Sequence, residues 1–151
     1  NWSMKRLGWL WAVGIVAVLA LAIFTARETG QKAPVMVRGK VVLSDSLKPA
    51  ADGAQVLFLI VSPTNSPMPY GAFRKTVGAN LEGVIFEFVL TQENLQRMRE
   101  DLPWPQEFKI KARLDRDGVA GPDQPGDLVG EVASLAPGAT DVEVKIDRLV
   151  N

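Results

Sequence analysis

Twenty consecutive residues, Leu7 to Ala26 (LGWLWAVGIVAVLALAIFTA), carry no charge, and the rest of the 151-residue chain is an ordinary mixture of polar and apolar residues. At about 1.5 Å of rise per residue such a run makes a helix of roughly 30 Å, the thickness of the hydrocarbon core of a bilayer. Lys5 and Arg6 stand just before it, Arg27 and Glu28 just after, and Trp9 and Trp11 lie near the first boundary, where indole rings favour the headgroup region. A cleaved signal peptide would have an apolar stretch of only about 7 to 15 residues ending in a small-residue site. Ala20-Leu21-Ala22 imitates such a site but falls inside the run. The sequence therefore predicts a retained transmembrane helix over 7–26, a tail over 1–6, a polar tether over 27–34 (RETGQKAP) and a folded domain over 35–151.

Gly8 and Ala12 are four residues apart, as are Ala22 and Ala26, a spacing that lets a second helix approach closely. Gly8, Trp9, Trp11 and Ala12 are accordingly candidate contacts with lipid and with neighbouring membrane subunits. The flanking basic residues are nearly balanced, Lys5 and Arg6 against Arg27 and Lys32, and do not set the orientation by themselves. A short basic tail before a first hydrophobic segment is the form of an uncleaved signal anchor. The expectation is a single-pass protein of the bacterial inner membrane, N-terminus cytoplasmic and C-terminal domain periplasmic. The tether reaches at most about 28 Å, so the domain sits close to the lipid or to whatever stands beside it.

Composition removes several chemistries. The chain has no Cys, hence no disulfide, thiolate metal site or cysteine nucleophile, and no His, the commonest general base and transition-metal ligand. Taking Lys5 and Arg6 from the 17 basic residues leaves 15 against 17 acidic ones beyond the span, a net of about −2, which is no nucleic-acid footprint. No acid–base pair, phosphate loop or nucleophile elbow is recognisable. The sequence reads as non-catalytic, with no cofactor, no metal and no small-molecule substrate.

Beyond the tether the pattern has the period of two that belongs to strands. Val35, Val37, Gly39, Val41 and Leu43 alternate with Met36, Arg38 and Lys40. Phe108, Ile110, Ala112 and Leu114 alternate with Lys109, Lys111 and Arg113, and Val142, Val144 and Ile146 with Glu143, Lys145 and Asp147. Val56–Val61 (VLFLIV) and Val84–Leu90 (VIFEFVL) are almost continuously apolar, as central strands would be. Shorter pieces over 72–77 and 128–132 complete seven strands. The fold class is mainly β, an antiparallel immunoglobulin-like sandwich. One short helix is expected after Thr91, whose hydroxyl can cap it; Leu95, Met98 and Leu102 form its apolar stripe, and Pro103 stops it.

Three loops invite a functional reading beside a plain one. Asp115, Asp117, Asp123 and Asp127 in DRDGVAGPDQPGD have the carboxylate density of a calcium loop without its spacing, and the Asp-Gly and Pro-Gly pairs equally suit structural turns. Trp104, rigid between Pro103 and Pro105, either plugs the core or anchors a partner. Pro67-Met68-Pro69-Tyr70 is similarly stiff, and Met68 and Tyr70 are candidate contacts, although prolines there also blunt an edge strand.

Taken in order, VRGKVVLSDSL (37–47), VLFLIV, Pro67-Met68-Pro69-Tyr70 leading to Arg74, KARLDRDGVAGP (111–122), Gln124-Pro125-Gly126-Asp127-Leu128 and VEVKIDRLV (142–150) resemble the C-terminal periplasmic domain of cytochrome c-type biogenesis proteins, the accessory subunit of the bacterial haem lyase. The resemblance implies a part in binding and presenting apocytochrome c. Members of that family usually carry a helical-repeat region as well, and no period of about 34 residues is visible in this sequence. Two functions follow. The first is an accessory subunit whose helix and β-domain pack against a larger respiratory or photosynthetic electron-transfer complex. The second, implied by the resemblance, is a maturation factor for c-type cytochromes.

Overall fold

The computed structural model describes residues 33–151. The span over 7–26, the candidate contacts Gly8, Trp9, Trp11 and Ala12, and all but the last two residues of the tether lie outside the described residues. Among the described residues no helix is long and apolar enough to cross a membrane.

Among the described residues nine strands follow one another: β1 (Val35–Leu43), β2 (Val56–Pro63), β3 (Gly71–Thr76), β4 (Gly83–Thr91), β5 (Gln96–Arg97), β6 (Phe108–Asp115), β7 (Leu128–Leu135), β8 (Ala139–Ile146) and β9 (Arg148–Leu149). The seven strands read from the sequence are present; β5 and β9, two residues each, are additional. They form two sheets, one ordered β4-β1-β8 and one ordered β5-β3-β2-β6-β7-β9. Residues of both sheets share one core that includes Val37, Val41, Leu57, Leu59, Ile110, Leu114, Val144 and Ile146. The arrangement is sandwich-like.

Four expectations are corrected. The small sheet is mixed rather than antiparallel, because β8 pairs with β1 in parallel (Val41↔Val144, Leu43↔Ile146). Met36, placed on the wet face by strict alternation, is fully buried. The ladder with β4 slips between Val35 and Val37, so an extra residue is accommodated there and the faces lose their two-residue phase. β2 is central, but β4, equally apolar in sequence, is an edge strand, with Val84 and Val89 exposed and Glu87 facing solvent.

The fourth correction concerns the helix after Thr91. Its first turn begins as expected: the Thr91 hydroxyl accepts from the N–H groups of Glu93 (3.2 Å) and Asn94 (3.3 Å), and Leu95 N–H donates to Thr91 C=O. Propagation then fails because β3 offers competing partners. Gln96 and Arg97 pair with Ala72 and Gly71, and Met98 N–H donates to Tyr70 C=O at 2.9 Å. The Arg97 guanidinium takes the carbonyls of Glu100 (3.3 Å) and Leu102 (2.5 Å). Leu95 alone of the stripe is fully buried. A single helical turn has little stability of its own, so strand pairing wins.

The two sheets are joined along one side. β7 belongs to the large sheet and β8 to the small one, yet a short turn links them, and Asp147 N–H returns to Val129 C=O before β9 pairs with β7. β8 lies so near both neighbours that a methyl group on Gly130 would overlap the Lys145 carbonyl, and one on Gly39 would overlap the Val142 carbonyl. Both obstacles are backbone, so neither can rotate away. Gly130→Ala is expected to lower stability by about 1 to 3 kcal/mol through this overpacking, whereas Gly78→Ala, which meets open space, should leave it within about 0.5 kcal/mol. Chemical denaturation of the two variants checks the contrast.

Candidate functional site

The outer face of the large sheet carries a concavity with polar and apolar lining. In β2 the outward residues are Phe58, Ile60 and Ser62, and in β6 their cross-strand partners are Arg113, Lys111 and Lys109. A groove of about 480 Å³ lies over them. One wall is Pro67, Pro69 and Met98, and the other is Ala120 to Asp123 of the acidic loop.

Arg113 sets the second wall. Strand periodicity puts its side chain outside, but it is only 2 % exposed because the 116–127 loop folds back over it. Its guanidinium lies 5.0 Å from the Phe58 ring centre, donates to the carbonyls of Gly121 (2.7 Å) and Val119 (3.4 Å), and meets Asp123 at 3.3 Å. Nε is 3.3 Å from Asp115 and 3.9 Å from Asp127, aligned on neither as a hydrogen bond, so those contacts act through charge. Lys111 donates to Asp123 as well.

The carboxylates of this loop are thus occupied internally. Asp115 Oδ1 accepts from the N–H groups of Asp117 (2.9 Å) and Gly118 (3.1 Å), Asp117 Oδ1 from Val119 (2.9 Å), and Asp127 Oδ2 from Gln124 (2.8 Å). Each closes a turn in the way short acidic side chains do. Of the two readings of DRDGVAGPDQPGD, these bonds supply the structural one; among the described residues no trio of acidic side chains is arranged for a cation.

Burial works to raise the Asp123 carboxyl, but the hydrogen bond and charge of Lys111, followed by those of Arg113, outweigh it and hold the group below its ordinary range. For Asp115, burial and then its hydrogen bond with Asp117 push the other way, upward.

The three candidate contacts of this region separate. Met68 stands at the tip of its loop, half exposed, with Arg99 Nη1 3.5 Å from its sulfur. Tyr70 is buried: its ring meets Trp104 edge-on at 5.3 Å and 84°, and Arg97 covers it at 5.1 Å. Trp104 is half-buried against the core. Trp104 packs on the core under an irregular segment instead of a helix. Tyr70 and Trp104 therefore act as footings for the loop that presents Met68, Pro67 and Pro69.

Alternation alone did not reveal Arg113. The available signal is one of charge: a strand carrying Lys111 and Arg113 that runs at Asp115 into a turn-rich loop with three further aspartates. Removing Arg113 while Asp115 and Asp127 stay buried leaves charges without a counter-ion, so Arg113→Met should cost about 3 to 5 kcal/mol and loosen the loop, measured by urea unfolding and by amide exchange over 116–127. The lowered Asp123 carboxyl stabilises the fold above the ordinary carboxylate range, and that contribution is lost as pH falls through its folded value. The stability difference between the parent and Asp123→Asn should hold steady above about pH 5 and shrink below about pH 4, as unfolding curves across that range would show.

No curated protein and no solved structure matches this chain. The family model of the cytochrome c-type biogenesis protein H Ig-like domain matches residues 37–147, from β1 to the end of β8. That match covers well over half of the sequence and spans both sheets and the groove between the 67–69 and 120–123 loops. The chain belongs to the family of the cytochrome c-type biogenesis protein H Ig-like domain.

Proposed function

We propose that the protein serves c-type cytochrome maturation as a non-catalytic, membrane-anchored binding module on the periplasmic side. The family match over 37–147 carries this reading. It favours the maturation factor over the electron-transfer subunit, for which no comparison speaks. The groove supports it chemically. Pro67, Pro69, Met98 and Ile60 offer apolar surface to a polypeptide, while Lys109 and Glu131 border it with opposite charges. Rigid prolines and a footing of packed aromatics limit the ordering cost of docking there.

Deleting the gene should abolish covalent haem attachment to c-type apocytochromes while leaving membrane complexes without c-type haem intact, as haem staining and spectra of native membranes would report. Recovery of the chain in fixed ratio with a mature electron-transfer complex, with haem attachment unimpaired by the deletion, would instead restore the subunit reading. In the complemented strain, changing the exposed Met68 and Met98 together to Glu is expected to lower haem attachment without moving the thermal midpoint by more than about 2 °C, since surface changes cost little.

A further inference from the structure

Opposite the β7–β8 join, β4 forms the edge of the small sheet, and among the described residues no strand pairs with its outer side. We infer that β4 is a strand-addition site for an extended segment of a partner polypeptide in which apolar and basic residues alternate. This goes beyond the groove and does not rest on the maturation reading.

The main chain supplies the first observation. Asn94 Nδ2 donates to Val89 C=O at 2.7 Å, and Asn94 Oδ1 accepts from Thr91 N–H at 2.8 Å. A side-chain amide thereby occupies the position that a neighbouring strand's peptide group would take, and it shows that Val89 and Thr91 direct their polar groups away from β1. By the alternation of an antiparallel ladder, Glu87 directs both its N–H and its C=O the same way, and Val89 its N–H. Outside the ladders, no main-chain bond from the described residues reaches these groups. Among the described residues Asn94 seals the end of the edge and nothing pairs with its middle.

The side chains define the occupant. On the inner face Phe86 is half-buried, stacked on Phe73 at 5.8 Å and 17°, and Phe88 is buried. Apolar residues of an added strand would extend that layer. On the outer face Glu87 sits between Ile85 and Val89. Its cross-strand neighbour Lys40 turns to Glu143 at 3.9 Å, which leaves Glu87 without an ion-pair partner among the described residues. A cation on the incoming strand would complete it. A second copy of the chain is disfavoured for the same reason, because antiparallel pairing of two β4 edges about their centre sets Glu87 against Glu87. The charge that discourages self-association selects a cationic partner.

The test uses the full chain in mild detergent and a synthetic peptide of alternating valine and lysine, nine residues long to match β4. Amide exchange at Glu87 and Val89 should slow by about tenfold or more on adding the peptide, as entry into a ladder requires. Glu87→Lys should weaken binding of this peptide about fivefold, the size of a cross-strand charge effect, and favour the valine–glutamate counterpart. Val89→Pro removes an outward N–H, a change that edges tolerate, and should abolish the protection while leaving the unfolding midpoint in place. If the proline variant fails to fold, Glu87→Lys, which alters only an exposed side chain, still decides the matter through the swap in peptide preference. Absence of protection at β4, protection confined to the 67–69 and 120–123 loops, indifference of binding to the charge at position 87, or concentration-dependent dimers protected at β4 without peptide would each overturn the inference.

Discussion

Everything in this domain depends on how closely β8 lies against its neighbours. The strand pairs in parallel with β1, while its backbone presses on β7 of the other sheet, and only hydrogen at Gly39 and Gly130 permits the approach. This contact converts two separate sheets into a body closed along one side. Val142, Val144 and Ile146 can then point into the core from a strand that would otherwise be a loose edge. Among the described residues the opposite side has no such seam. There β3 pairs outward only with the two-residue β5, and the edge of β4 turned away from β1 meets only the Asn94 amide, so polar backbone groups and apolar surface come together at one rim.

Arg113 does for the outer face what β8 does for the core. A guanidinium taken from water is tolerable only when its charge is answered, and here an aromatic face, two carbonyls and three carboxylates answer it, although Nε itself makes no hydrogen bond. In return the acidic loop is pulled onto the sheet, and that fixes one wall of the groove. The other wall is held from below by Tyr70 and Trp104, whose edge-on contact is the kind of aromatic packing that adds stability beyond its area. Both walls are thus stiff for different reasons, one electrostatic and one apolar.

Much of this fold is legible in the residues alone. Alternation marks β1, β6 and β8 to within a few residues, because a half-buried strand must put every second side chain in the core. Turn-forming residues correctly bound the acidic loop. The failures have particular causes. VIFEFVL and VLFLIV look alike as runs, yet one is an edge and the other a centre; apolar content reports burial of side chains and is silent about which main-chain groups find partners. Met36 departs from the alternation because a bulge shifts the phase by one residue. QENLQRMREDL has real helical preference and even forms its first capped turn, but the free edge of β3 captures the backbone at Gln96 and Arg97.

Local periodicity and residue chemistry suffice to place a β domain over residues 35–151, to locate most of its strands and to show which family pattern they carry. It also excluded thiol and imidazole chemistry, since composition alone settles which groups exist. The strand order, the parallel pairing of β1 with β8, the burial of Arg113 and the choice of which of two similar strands ends as a rim emerge from the folded arrangement alone. Those outcomes depend on contacts between residues far apart in the chain, where backbone hydrogen bonds and desolvated charges must all be matched at once, and no local window of sequence contains that constraint.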